Sequence, residues 1–334
     1  MTTAATNPRR LYTVAEQAAH PTAIPSRTLA GWEALADGFL SSDLKCSPVA
    51  GTSKDGTPRA SDSVRVATWL PSGPPEQGGT CPGASTYCHR APGGTLTCYA
   101  LRLERGRPSL AALVDKRLTT WESLDQGEKV TLAAAILKRA HHTQTQPGPL
   151  SAHADNPVAR PAVRLGAGGD LHDEATGQAW ADALAWASLP ASGIDDLSVW
   201  LYSRSYCLDV LDDPLGPIAD GIAAGTITNT SAYLSTDPSM IERTRTALAG
   251  RYSHLPVAAL ASTMTEGRDI LDTLRGPDRH REIICPTDRP TKPLPIASRR
   301  TGEPHARGIC TRCRACIDPA RGLDRSQDVI FVRR

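Results

Sequence analysis

The sequence predicts an α/β protein: a partial or full parallel (β/α) barrel with a C-terminal cysteine-rich extension. The first observation behind this prediction is that short apolar strand patterns alternate with helical patterns from Pro161 onward. The second is the number of strands, five in that region and at least one before residue 100, which suits a barrel better than a small sheet. A doubly wound sheet is the structural alternative.

Before Pro161 the hydrophobic spacing predicts fewer elements. Apolar residues that recur at helical spacing predict helices, and strict alternation predicts a strand. The expected elements are a short helix from about Ser26 through Leu35, a strand at Ser63–Leu70, and helices at Leu110–Trp121 and Glu128–His141. Stretches rich in Pro, Gly and Ser between them are predicted to be loops.

From Pro161 the alternation of strands and helices is regular. The expected strands are 162–165, 197–202, 226–234, 255–261 and 281–285. The expected helices are 174–187, one from about Leu208, 238–249 and 265–274. We therefore divide the chain into an N-terminal arm with the short helix (1–45), a barrel-like domain (46–290) and a cysteine-rich metal-binding extension (291–334).

Composition restricts the class of protein. A net charge of +2 gives no whole-protein signal for nucleic-acid binding, although a local basic patch is compatible with it. No apolar run approaches the roughly 20 residues of a membrane span, and the N-terminal segment lacks the core of a signal peptide. The expected location is the cytoplasm, where grouped cysteines are more often metal ligands or catalytic groups than disulfides.

Four of the nine cysteines form a C-terminal group. Cys310, Cys313 and Cys316 have the spacing C-x2-C-x2-C, and Cys285 ends the last predicted strand upstream of them. Thiolates at this spacing favour an iron–sulfur cluster such as [4Fe-4S]. Zinc is the alternative metal, because four thiolates also complete a tetrahedral structural site. The remaining interpretation is a surface tail with unligated thiols.

A second group, nearer the N-terminus, consists of Cys81, Cys88 and Cys98, spaced C-x6-C-x9-C in a loop rich in Gly and Pro. Three thiolates leave one iron of a [4Fe-4S] cluster open to a substrate or cofactor. Radical enzymes that use S-adenosylmethionine (SAM) need such an open iron. The alternative is a structural zinc site completed by His89 or Cys46.

Polar residues follow the predicted strands. They are Asp170, Ser203–Ser205, Ser235–Asp237, Ser262–Thr263, and Cys285 with Asp288. Because active sites of parallel barrels lie at the carboxyl ends of the strands, the repetition indicates a site. Taken singly, each residue also suits a turn or a helix N-cap.

Two of these strand-end residues, Asp170 and Arg204, are candidate catalytic groups, and so is the nearby His172. Asp170 and His172 form an Asp-x-His pair that suits metal binding or acid–base chemistry. Capping of the helix that starts near Glu174 is the structural alternative for this stretch. Arg204 is suited to clamp a carboxylate or phosphate, and its alternative is an ordinary surface arginine.

Several motifs carry a resemblance to a known family. They are T-C-P-G-A-S-x2-C-x9-C-Y-A from Thr80, V-R-L-x3-G-D from Val163, Y-S-R-S from Tyr202, S-T-D from Ser235, and C-P-x-D from Cys285. Together they resemble the actinobacteriophage gene product 88 family over roughly residues 35–320. That family resemblance implies a phage protein and little chemistry.

The order of parts is also similar to the radical-SAM superfamily, whose usual cysteine spacing, C-x3-C-x2-C, differs from the one here. The resemblance implies that Gly168, Gly169 and Asp170 hold the SAM amino group, and that Ser235 and Asp237 hold its ribose. It also implies an auxiliary cluster at the C-terminal cysteines.

The sequence therefore predicts an iron–sulfur protein, with a radical-SAM-like enzyme as the first hypothesis. Its substrate would be a small molecule or a nucleic acid, with no membrane partner. The alternative is a non-enzymatic protein, stabilised by zinc or iron–sulfur sites, that binds nucleic acid or a host partner.

Overall fold

The computed structural model describes residues 28–42, 65–89, 98–145, 161–208, 213–276, 283–284 and 327–332. The predicted C-terminal metal ligands Cys285, Cys310, Cys313 and Cys316 lie outside these ranges, as does Cys46. The predicted division at residues 45 and 290 also falls outside them.

Helices and strands alternate along most of the described chain. The helices are α1 (Leu29–Phe39), α2 (Thr86–His89), α3 (Tyr99–Gly106), α4 (Pro108–Glu122), α5 (Gln126–Thr145), α6 (Glu174–Ala187), α7 (Gly216–Ala223), α8 (Ile241–Leu248) and α9 (Met264–Arg275). The strands are β1 (Leu40–Ser42), β2 (Arg65–Trp69), β3 (Ala162–Gly168), β4 (Ser198–Ser203), β5 (Thr230–Thr236), β6 (Val257–Ala261), β7 (Ile283–Ile284) and β8 (Val329–Val332). Among the described residues, none of the helices is long and apolar enough to cross a membrane.

The strands form one sheet in the order β1-β2-β3-β4-β5-β6-β8-β7. β1 pairs with β2 antiparallel, and all other neighbours are parallel. The predicted α/β class with a mostly parallel sheet is thus confirmed. Closure into a barrel is not seen, because in the described part of the chain no pairing joins β1 to β7. The last strand, β8, comes from the range predicted as the extension and inserts between β6 and β7.

Two predicted boundaries were wrong for identifiable reasons. The helix expected from about Leu208 begins at Gly216, with Pro217 in its first turn, and residues 209–212 lie outside the described ranges. Cys207, just before the expected helix start, lies in a bend with φ of 49°. The strand expected from Thr226 begins at Thr230, because the amides of Thr226 and Ile227 both donate to the Gly221 carbonyl and close the end of α7.

The largest apolar core lies between the sheet and helices α1, α5, α6 and α7. Val163, Val199 and Ala232 of the strands face Leu137 and Leu184 of the helices, and all five are at most 1% exposed. Each buried aliphatic side chain contributes roughly 1.5–3 kcal/mol to folding. This core fixes the central strands and therefore the position of their carboxyl ends.

The strand residues that alternate with this core carry an aromatic cluster. The ring centroid of Tyr202 lies 5.1 Å from that of Tyr233 and 5.2 Å from that of Phe331. The Arg164 guanidinium lies 5.7 Å from the Tyr202 ring centroid. These rings join β4, β5 and β8 across the second face of the sheet.

A buried arginine of α4 attaches the antiparallel edge of the sheet. Arg117 is 3% exposed, and its guanidinium donates to the carbonyls of Gly38 (2.7 Å), Trp69 (3.1 Å) and Leu40 (3.3 Å). It also donates to the Ser41 hydroxyl at 2.9 Å. One side chain thus supplies donors to the end of α1, to β1 and to β2.

Replacing Arg117 by Met should lower the free energy of unfolding by about 3 kcal/mol, because several buried acceptors lose their donor. Urea denaturation measures the change. The control is Lys138→Gln on exposed α5 surface, expected to change stability by less than about 0.5 kcal/mol. Equal stability of the two variants would contradict this role for Arg117.

Candidate functional site

Two cysteines of the N-terminal group, Cys81 and Cys88, follow β2 in a segment, residues 80–89, that we call the cysteine loop, and the third, Cys98, is the N-cap of α3. The Thr80 hydroxyl donates to the Pro71 carbonyl at 2.9 Å and accepts from the Asp170 amide at 3.3 Å. At the other end of the loop, the Tyr87 hydroxyl lies 2.7 Å from the Ser262 hydroxyl and donates to Glu266 at 3.0 Å. The loop therefore crosses the carboxyl edge of the sheet from β2 to β6.

Glycines allow the cysteine loop to lie directly against the strand ends. A Cβ added at Gly83 would be 1.8 Å from the Arg204 carbonyl oxygen, so only glycine fits this contact. At Gly169, where φ is +75°, a Cβ would be 2.3 Å from the Thr80 hydroxyl. A Cβ at Gly168 would be 1.9 Å from the indole nitrogen of Trp69. The predicted Gly168-Gly169 pair is thus needed for packing.

Arg204, directly after β4, forms a buried ion pair with Asp237, directly after β5. Their side chains are 7% and 0% exposed, and Nη1 of Arg204 lies 2.5 Å from Oδ2 of Asp237. Ser85 of the cysteine loop donates to the same Oδ2 and accepts from Arg204 at 3.2 Å. Burial acts to raise the pKa of Asp237, but the Arg204 charge and the hydrogen bonds from Ser239, Ser85 and Arg204 together outweigh burial and lower that pKa.

The second terminal nitrogen of the Arg204 guanidinium, Nη2, has no hydrogen-bond partner among the described residues. Nη2 is buried, whereas Nη1 contacts Asp237, Ser85 and the Met240 sulfur. Leaving a buried donor unsatisfied costs roughly 1–3 kcal/mol. Such an atom at a strand end is a candidate anchor for a carboxylate or phosphate.

The three thiols of this group lie close enough to influence one another electrostatically. Burial raises the pKa of Cys81 well above its usual range, and negative charge on Asp170, Cys88 and Cys98 raises it further. Burial also raises the pKa of Cys98, followed by the effect of Cys88. Even so, no three His, Cys, Asp or Glu side chains in the described ranges form a group that could hold a metal ion.

Asp170 lies beside the thiols at the end of β3. Its carboxylate accepts from the amide of Arg204 at 2.7 Å and from that of Leu171 at 2.8 Å. Burial raises the pKa of Asp170, and the Arg204 amide partly offsets the increase. Asp170 also borders a mostly apolar cavity whose lining includes Trp69 and Tyr202. A ligand could therefore place a polar group at Asp170 and an apolar group in the adjoining cavity.

His172 is placed apart from the other candidates. Its Nε2 lies 3.3 Å from the Asp173 carboxylate, and its ring contacts the Thr176 hydroxyl. Asp173 caps α6 by accepting from the Thr176 amide at 2.7 Å, which is the capping alternative considered for this stretch. Ser235 lies in β5, where its carbonyl accepts from the Tyr206 hydroxyl at 3.0 Å.

The structure thus brings together Cys81, Cys88, Cys98, Asp170, Arg204 and Asp237. Sequence reasoning missed two supports of this group. Ser85 of the cysteine loop was not predicted as a site residue, although it contacts both Asp237 and Arg204. Glu104, only 6% exposed, accepts from the Trp69 indole at 2.7 Å and from the Ser72 amide at 3.0 Å. Nothing in the sequence distinguishes Glu104 from a surface glutamate of an arginine-rich helix.

Comparison with known proteins gives one match. The family model for gene product 88 matches residues 48–319, which is more than half of the chain. No curated protein and no solved structure matches the chain.

Replacing Gly83 by Ala should lower the melting temperature, because the new methyl group forces the loop backbone off Arg204. We expect a loss of about 2 kcal/mol from such overpacking. The matched control is Gly38→Ala in α1, where a Cβ meets no atom within 4 Å. Melting curves that coincide for the two variants would rule out this tight contact.

Replacing Asp237 by Asn should cost about 3 kcal/mol of stability at neutral pH, because it leaves the buried Arg204 charge uncompensated. The lowered pKa of Asp237 means that its contribution is present above its unfolded pKa of about 3.9 and is lost as the pH falls through the folded value. Denaturation curves of wild type and variant should therefore converge below about pH 4.

The control for this change is the double variant Asp237→Asn with Arg204→Met, which removes both charges and should recover part of the loss. A double variant that is less stable than Asp237→Asn alone would show that the charge pair is not the cause.

Proposed function

The chain belongs to the gene product 88 family, and from that premise and the geometry of the cysteine loop we propose that it is a radical-SAM-like iron–sulfur enzyme. Cys81, Cys88 and Cys98 would hold a [4Fe-4S] cluster with one open iron. The observation that carries the proposal is that three electrostatically coupled thiols lie at the carboxyl edge of a parallel sheet with Arg204, whose Nη2 has no hydrogen-bond partner among the described residues.

The surroundings of the thiols support a cationic group between them. As thiolates, Cys81, Cys88 and Cys98 would repel one another and Asp170. Burial is the larger cause of the raised pKa of Cys81 and of Cys98, and this repulsion adds to it. A bound metal removes that repulsion. In the positions that the structure describes, the three sulfurs are not arranged as a set of metal ligands. Cluster binding therefore requires the three sulfurs to draw closer together.

When bound, the cluster would supply one electron that cleaves a carbon–sulfur bond of SAM. Asp170 suits the amino group of that cofactor, because its carboxylate is buried at the strand end and accepts hydrogen bonds there. Nη2 of Arg204 suits the carboxylate. Gly168 and Gly169 let the backbone at this turn pack closely.

We assign Asp237 a positioning role in place of the predicted ribose contact. Its Oδ1 accepts from the amide and hydroxyl of Ser239, and its Oδ2 is engaged by Arg204 and Ser85. Asp237 therefore has both oxygens committed and orients the guanidinium. His172 and Ser235 remain predictions, as does an auxiliary cluster or zinc site at Cys285, Cys310, Cys313 and Cys316.

Anaerobic purification followed by iron, sulfide and zinc counts tests the cluster. Each of Cys81→Ser, Cys88→Ser and Cys98→Ser should lose about four iron atoms per chain relative to wild type. Cys207→Ser is the matched control, because Cys207 does not belong to the group of Cys81, Cys88 and Cys98, and it should keep the wild-type iron content. Iron counts equal to wild type in all three of those variants, or zinc in place of iron, would reject the proposed cluster.

Incubation of the reduced holoprotein with SAM tests the cofactor. Wild type should release 5′-deoxyadenosine, and Asp170→Asn should release at least tenfold less, roughly 1.4 kcal/mol in barrier, while retaining iron. If iron-replete wild type releases no 5′-deoxyadenosine, the protein is an iron–sulfur protein without radical-SAM activity.

A further inference from the structure

Helix α3 carries arginines on the face that begins with a cysteine of the site. Cys98 is the N-cap of this helix, and the Arg102 amide donates to the Cys98 carbonyl at 3.0 Å. Residues four and seven positions apart share one face of a helix. Arg102 and Arg105 therefore extend from Cys98 along one side of α3, and Arg107 follows at its C-cap.

In the part of the chain that the structure describes, no carboxylate neutralises this face. The sole acidic residue of α3 is Glu104, which points inward to Trp69 and Ser72. Arg102, Arg105 and Arg107 are all exposed, and none of them forms an ion pair within the described ranges. The helix thus presents three uncompensated guanidinium groups to solvent.

Two exposed arginines elsewhere in the fold are paired with carboxylates. Arg245 contacts Glu242, and Arg251 contacts Asp213 and Asp220. The helix dipole favours a cation at Arg105, near the C-terminus of α3, but not at Arg102, in its first half. Helix stability therefore does not explain why three exposed arginines lie on α3, whereas binding of an anionic partner does.

We propose that Arg102, Arg105 and Arg107 bind the phosphates of a single-stranded nucleic acid and direct one of its nucleotides to the cysteine loop. The planar guanidinium fork matches a phosphate in two hydrogen bonds. Chemistry on a base requires that the base be out of a duplex stack, which a single strand supplies without unpairing. The substrate assignment depends on the proposed function, whereas phosphate binding by α3 does not.

Fluorescence anisotropy with a labelled single-stranded DNA oligonucleotide, measured over a range of salt concentrations, tests the surface. The double variant Arg102→Gln/Arg105→Gln should bind about tenfold more weakly, and the slope of log affinity against log salt should fall by about 1.4. The control, Lys129→Gln/Lys138→Gln on α5, removes the same charge from the far helix layer and should bind as wild type does.

Binding that both double variants weaken equally would overturn the proposal, as would wild type that binds no oligonucleotide. Poly-glutamate that displaces the oligonucleotide at equal charge concentration would identify an acidic protein segment as the partner and also overturn it. Iron counts on the same preparations distinguish a failure of the iron–sulfur proposal from a failure of phosphate binding by α3. We expect Arg102→Gln/Arg105→Gln to retain wild-type iron, so a loss of oligonucleotide binding in this variant is then due to the arginines of α3.

Discussion

The contact between the cysteine loop and the end of β4 is the constraint on which the candidate site depends. At Gly83 the loop backbone lies against the Arg204 carbonyl with no room for a Cβ. On the other side of the same residue, the guanidinium is fixed by Asp237 and Ser85. One residue thus joins the loop, β4 and β5. The positions of the thiols relative to Asp170 follow from that junction.

Local pattern predicted much of the fold. The bounds of α6 agree with prediction because Asp173 caps the helix and the apolar spacing continues to Ala187. The antiparallel strand β1 and the final strand β8 escaped prediction, because their pairing depends on residues distant in the chain. Pro217 and the turn at Gly225 moved the boundaries around α7, where apolar content alone was misleading.

The site was predicted in outline from the polar residues that follow the strands. Asp170, Arg204 and Asp237 do lie close together, because carboxyl ends of parallel strands meet at one edge. Their pairing was not predictable. The sequence shows Arg204 and Asp237 as separate polar residues, and only the crossover between β4 and β5 makes them partners. Glu104 was missed because burial of a helical glutamate is a tertiary property.

The position of β8 between β6 and β7 sets an order in which this edge of the sheet can be assembled. Parallel pairing joins Ile284 of β7 to Ile330 of β8, and β8 in turn to β6. On a ribosome, β7 emerges well before the strand it must pair with. Its pairing with β8, its neighbour among the described strands, must wait until residues 327–332 have been translated, and pairing at such sequence distance is intrinsically slow.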